Sequence, residues 1–118
     1  NGGTQRTIRQ LPYPIAMEVL LLGRRLTAER AAHYVLINEV VEHDKVHETA
    51  MERAEELAAM PPLAVRAIKE LSVRAQYMPL GDGLRLESAM QARLGFTEDA
   101  KEGPRAFAEK RKPEFKGR

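Results

Sequence analysis

The sequence contains no cysteine and no tryptophan. Disulfides, thiolate metal ligands and a cysteine nucleophile are therefore excluded. Aromatic residues make up only 5% of the chain, too few for the exposed stacking platforms that single-stranded nucleic acid favours, and no nucleic-acid partner is expected. His33, His43 and His47 are the only imidazoles. His43 and His47 stand four apart and can share a helix face, but no third ligand accompanies them and no metal site is expected. Apolar runs such as Val19-Leu20-Leu21-Leu22 fall far short of a bilayer span, so no membrane partner is expected either. No basic-then-apolar leader opens these residues, and the expectation is a cytoplasmic protein.

What is present suits a small globular unit: 118 residues, 43% hydrophobic and 31% charged. The net charge of +2 is unevenly spread, with seven Lys or Arg against three Glu in residues 101–118. A basic terminal segment of this kind can meet an anion, a phosphorylated small molecule among them. The chain opens on Asn1-Gly2-Gly3-Thr4, and a glycine pair at a chain end suggests a backbone that continues upstream.

Proline, glycine and threonine punctuate a mainly helical pattern. Helices are expected over Thr4–Gln10, over Ile15–Leu22 with Pro14 in its first turn and Gly23 at its exit, and over Ala28–Tyr34 with Thr27 as N-cap. Leu36–Glu42 is richer in β-branched residues and reads as a short strand. Beyond Asp44, Val46, Ala50, Ala54, Leu57 and Ala58 build one apolar helix face. After Pro61-Pro62, the residues Ala64, Ala67, Ile68, Leu71, Ala75 and Met78 build another. Pro79 and a Gly81-Asp82-Gly83 turn separate it from a helix over Leu84–Leu94, which Gly95 stops. Thr97 caps a last helical stretch, with Glu98 and Asp99 favourably placed against its dipole. Gly103-Pro104 is expected to interrupt that stretch and Pro113 to end it. Alanine-rich faces bury little area each, at about 25 cal/mol per Å2, so such helices gain by docking on something larger.

No catalytic centre emerges from the residues themselves. Gly2-Gly3 is followed by neither a P-loop lysine nor a dinucleotide fingerprint. Ser72 and Ser88 lie inside helical patterns with no histidine near them in sequence, so no nucleophile triad is arguable.

The tail carries the most specific signal. It holds Asp99, then Glu102-Gly103, then Ala106-Phe107-Ala108-Glu109-Lys110-Arg111, then Pro113-Glu114-Phe115-Lys116-Gly117. This pattern resembles the C-terminus of the enoyl-CoA hydratase/isomerase (crotonase) family. Gly2-Gly3-Thr4-Gln5-Arg6 resembles that family's turn after the catalytic strand-loop region. Leu26-Thr27-Ala28-Glu29-Arg30-Ala31 followed by Leu36-Ile37-Asn38-Glu39-Val40-Val41 resembles its helix-then-strand segment, and Pro61-Pro62-Leu63-Ala64 with Lys69 its following helix. The likeness covers essentially the whole chain. One departure is Val35, which stands where the family usually has glycine after the Ala28–Tyr34 helix. A left-handed residue there would cost a β-branched side chain about 1–2 kcal/mol.

The resemblance implies a mainly α chain with a short strand, the C-terminal helical, trimerisation part of a ββα-superhelix fold. Residues 1–42 would end the core, and residues 43–118 would form the helical oligomerisation region with a coenzyme A-contacting tail. It implies an acyl-CoA thioester as substrate, with coenzyme A arriving as part of it and no separate cofactor, in a homo-oligomer, a trimer or hexamer. The oxyanion hole and main catalytic carboxylate would lie upstream, so no catalytic residue is assigned in this chain. Phe107 and Lys110 match the aromatic residue and lysine that reach the adenine-phosphate end of coenzyme A, and their spacing of three suggests one helix face. The competing reading makes Phe107 a core anchor and Lys110 a surface charge. The implied activity is enoyl-CoA hydration, with an isomerase or carnitinyl-CoA dehydratase-like member as the alternative. Taken as an isolated chain, it would be a non-catalytic helical oligomerisation module.

Overall fold

The computed structural model describes residues 1–118. Seven α-helices follow one another: α1 (Gly3–Gln10), α2 (Tyr13–Leu22), α3 (Ala28–His33), α4 (Val46–Ala58), α5 (Pro62–Ala75), α6 (Leu80–Leu94) and α7 (Glu98–Ala108). A single 3-10 turn, His43–Lys45, leads into α4. The chain divides into two compact units, Asn1–Thr49 and Ala50–Arg118. No helix is long and apolar enough to cross a membrane.

In the first unit α1 packs on α2. Leu11, Ala16 and Ala31 are its buried apolar side chains. Pro14 sits in the first turn of α2, where its missing N–H costs nothing, and Gly23 ends the helix at φ 62°. Glu18 is the one charged group on α2, and Arg24 and Arg30 approach its carboxylate at 3.1 and 3.5 Å. Hydrogen bonds from Arg24 and then Arg30 hold that carboxyl below its usual range. The Thr27 hydroxyl accepts from the Arg30 N–H at 3.3 Å, as its N-cap position requires.

The turn after α3 retains the left-handed conformation. Val35 has φ 57°, the Leu36 N–H reaches the Ala31 carbonyl at 2.8 Å and the Val35 N–H reaches Ala32 at 2.9 Å. Those two bonds define a Schellman C-cap, with valine where glycine is normal. The expected strand over Leu36–Glu42 is not formed: residues 36–38 bend, and 39–42 belong to no regular element. β-Branched residues favour extended backbone, but a strand needs a neighbour for its N–H and C=O groups, and this chain forms no sheet.

In the second unit α5 packs on α6. Between them an apolar cleft of about 340 Å3 is lined by Ile68, Leu71, Ala75, Met78, Leu80 and Leu84 among others. Ile68, Leu80 and Leu84 are exposed, and no large side chain in the protein is fully buried.

Two expected boundaries move. Helix α6 starts at Leu80 instead of Leu84, with Gly81-Asp82-Gly83 inside its first turn. Extended Pro79 supplies the cap carbonyl, which accepts from the N–H groups of Asp82 and Gly83 at 2.9 and 3.1 Å. Helix α7 runs unbroken through Gly103-Pro104 and ends at Ala108, well before Pro113. A proline inside a helix costs roughly 3 kcal/mol, and the contacts that hold α7 together come from the tail that follows it.

Candidate functional site

Helix α7 starts on Thr97, whose hydroxyl accepts from the Ala100 N–H at 3.1 Å and donates to the Leu94 carbonyl at 2.7 Å. From Ala108 the chain turns, and the tail runs back to the start of α7. There the N–H groups of Glu98 and Asp99 donate to the Arg118 carbonyl at 2.6 and 3.2 Å. These are two of the donors a helix start leaves without intrahelical partners. Asp99 is the one buried charged residue of the protein, at 6% exposure. Its Oδ1 accepts from the Lys116 N–H at 2.7 Å and its Oδ2 from the Gly117 N–H at 2.8 Å. Gly117 has φ 71°, a backbone conformation that favours glycine, and a Cβ there would crowd Cγ of Pro62 at 3.0 Å.

Half-way along, Glu102 receives the Arg111 guanidinium in a two-pronged contact, with Nη2 to Oε2 at 2.9 Å, and the Glu114 N–H at 2.9 Å. Arg111, before Glu114, drives the Glu102 carboxyl down to about 2. Glu109 binds Arg105 at 2.9 Å and Nε of Arg111 at 2.6 Å, which holds its carboxyl low as well. Reciprocally, Glu102 and then Glu109 push the Arg111 guanidinium above its ordinary value. Acids and bases thus line the cleft of about 550 Å3 between α7 and the tail.

The apex of this hairpin carries the two residues singled out in the sequence. Helix α7 ends in a second Schellman cap: Arg111 N–H to Ala106 carbonyl at 3.0 Å, and Lys110 N–H to Phe107 carbonyl at 3.2 Å. Lys110 is the left-handed residue, with φ 52°. Phe107 and Lys110 are therefore brought together through the main chain, but not as neighbours on one helix face, because Lys110 lies beyond the helix end. Phe107 is 86% exposed, so it does not anchor α7 within this chain. Lys110 is exposed too, and the ion pairs of its neighbours do not use its ammonium.

Sequence reasoning placed Asp99, Glu102 and Arg111 in the family-like tail pattern and missed the clamp they form. Asp99 and Glu102 stand three apart, the spacing of one helix face. That spacing was a usable signal, obscured by the break expected at Gly103-Pro104. No group of three or more His, Cys, Asp or Glu side chains is placed to hold a metal ion.

A family model described as enoyl-CoA hydratase/isomerase matches residues 1–118. An enoyl-CoA hydratase of Mycobacterium tuberculosis is 39% identical over 117 residues, which cover 99% of this chain and 44% of that protein. A carnitinyl-CoA dehydratase of Salmonella typhi is 39% identical over 122 residues, covering 100% of this chain and 47% of that one. Among solved structures, an enoyl-CoA hydratase from Mycobacterium marinum superposes with a TM-score of 0.94 at 36% identity, over 99% of this chain and 46% of that chain. The chain thus spans a little under half the length of the curated relatives it matches.

Proposed function

Because the chain belongs to the enoyl-CoA hydratase/isomerase family, we propose that it is the C-terminal part of an enzyme that adds water across the α,β double bond of an acyl-CoA thioester. In such chemistry backbone N–H groups hold the thioester oxygen as enolate character develops, and carboxylates move the protons. The oxyanion donors and the main catalytic carboxylate are assigned to residues upstream of Asn1. Residues 1–42 end the core, and residues 43–118 form the oligomerisation region. Coenzyme A enters as part of the substrate, with no separate cofactor.

This chain's own contribution is to hold the adenine-phosphate end of coenzyme A. Phe107 offers an exposed ring face to adenine and Lys110 a cation to phosphate. The observation that carries this reading is the apex itself. A lysine is kept in a strained left-handed conformation beside an exposed phenylalanine, while the acids around it are engaged by arginines. Strain of this kind persists where surrounding contacts enforce it, and ligand clamps are a common setting.

Exposed Ile68, Leu80 and Leu84 favour assembly into a homo-oligomer, a trimer or hexamer. The setting proposed for it is the cytoplasm. A dehydratase reading runs the same chemistry in reverse, and the likeness to a carnitinyl-CoA dehydratase favours it as the second choice.

The test uses the full natural polypeptide and a 2-enoyl-CoA, following loss of the conjugated thioester's ultraviolet absorbance. Hydration with a KM that rises about fivefold in Lys110→Ala, at little change in kcat, supports both the activity and the contact. Absence of turnover with 2-enoyl-CoA, 3-enoyl-CoA and 3-hydroxyacyl-CoA alike, in a protein that light scattering finds assembled, would leave an oligomerisation module.

A further inference from the structure

Lys110 is flanked by two residues bonded to each other across it: Nε of Arg111 lies 2.6 Å from Oε2 of Glu109. Each flanking residue is tied elsewhere as well. Glu109 holds Arg105 at 2.9 Å, and Arg111 makes its two-pronged contact with Glu102, about two turns before Glu109 on α7. Glu102 then accepts the Glu114 N–H, which draws the returning tail against the helix. The three consecutive residues 109–111 are thus clamped on both sides of the one with positive φ.

Charge is arranged to the same end. Three cations, Arg105, Lys110 and Arg111, share this apex with two acids, Glu102 and Glu109. The arginines occupy both carboxylates, with the planar, multi-donor geometry that suits them for it. The positive charge left over sits on Lys110 at the apex and on Lys112 just after it. Loss of Arg111 would strip Glu102 and one oxygen of Glu109 of their guanidinium partner, and a bare carboxylate competes with a phosphate for a cation.

We propose that Glu102 is a positioning residue for coenzyme A recognition: through Arg111 it holds Lys110 in the left-handed apex and keeps its ammonium available to phosphate. The inference rests on the reading of Lys110 as a coenzyme A contact, and it adds residues that touch no ligand. Glu102 and Arg111 act on affinity for the phosphate-bearing end and leave the reacting end of the substrate alone.

The experiment compares Glu102→Gln, Arg111→Lys, Lys110→Ala and the double variant Glu102→Gln/Lys110→Ala in the full natural polypeptide. Two substrates are used, an acyl-CoA and the same acyl group on pantetheine, which lacks the adenosine and its phosphates. Glu102→Gln is expected to raise the KM for the acyl-CoA about three- to tenfold, with kcat and the acyl-pantetheine reaction unchanged. Arg111→Lys should do the same, since an ammonium keeps the charge but cannot bridge Glu102 and Glu109 in the same plane. The double variant should bind no more weakly than Lys110→Ala alone, because the effect passes through Lys110.

A normal acyl-CoA KM in Glu102→Gln, beside a raised one in Lys110→Ala, overturns the positioning role and leaves the lysine contact standing. A normal KM in Lys110→Ala overturns both. Equal loss with acyl-CoA and acyl-pantetheine marks Glu102 as a general support of the fold and overturns the inference, as does full additivity in the double variant.

Discussion

Valine at position 35 makes a quantitative test of the α3 cap. Its φ of 57° lies in the region that L-residues enter at a cost of roughly 1–2 kcal/mol, with β-branched side chains at the upper end. Two cap hydrogen bonds, from Val35 to Ala32 and from Leu36 to Ala31, keep it there. The side chain is 84% exposed, so deleting it sacrifices little apolar burial within the chain. Val35→Gly removes the steric cost but adds freedom to the unfolded chain, worth about 0.4–1 kcal/mol in the opposite direction. The balance is a stabilisation of about 1 kcal/mol, or a rise in Tm of about 3–6 °C. Val35→Ala keeps a Cβ at positive φ and is expected within about 0.5 kcal/mol of wild type. Urea denaturation of the three proteins measures the ranking, and exchange of the Leu36 amide reports the cap locally. A glycine variant no more stable than wild type would refute the strain account and imply that the valine side chain is held by contacts outside this chain.

Asp99→Asn replaces one acceptor oxygen with an amide that faces a backbone N–H, so the clamp on Lys116 and Gly117 loses one bond and gains a donor–donor clash. For a buried group this costs about 2 kcal/mol, read from the urea midpoint, and a change below about 0.5 kcal/mol would contradict the role given to the clamp. Phe107→Ala is expected to leave stability within about 0.5 kcal/mol of wild type, because the ring is exposed, while weakening coenzyme A binding in calorimetry. A large loss of stability there would instead make Phe107 an anchor in the full assembly. Glu102 carries a carboxyl lowered from 4.5 to about 2, and Glu18 and Glu109 are lowered too. A depressed folded-state value contributes stability above the unfolded value and loses it as pH falls, so the urea midpoint should drop between pH about 4.5 and about 2. Added salt should shrink that drop, since the groups are solvent-accessible. A midpoint that stays flat to pH about 2 would remove the ion pairs from the account of stability.

Local signals in the sequence located most helix starts and stops. Thr27 and Thr97 act as the caps their hydroxyls suggest, Gly23 takes the left-handed exit, and Pro62 opens α5. Each depends on neighbours a few residues away. The misplaced features depend on distant ones. Ile37, Val40 and Val41 suit a strand, but no strand of this chain lies beside them to complete a ladder. Pro104 argues for a break until Glu102, Arg111 and Asp99 are seen to tie the helix to the tail from up to 18 residues away. The three-residue spacing of Phe107 and Lys110 implied a shared face, whereas the cap at Glu109 rotates the lysine out of the helix. Pattern resemblance drew attention to Phe107 and Lys110, and only the backbone explains how the two come together.

The hold of Asp99 on Gly117 closes a loop of 18 residues in a protein with no cysteine. A disulfide in the same place would restrict the unfolded chain as well as the folded one, and would answer to the redox state of its surroundings. The carboxylate exists as a staple only once α7 has formed, so the tail can unfasten and refasten without chemistry. Reductants leave it untouched, and the exchange rates of the Lys116 and Gly117 amides measure directly how often it opens.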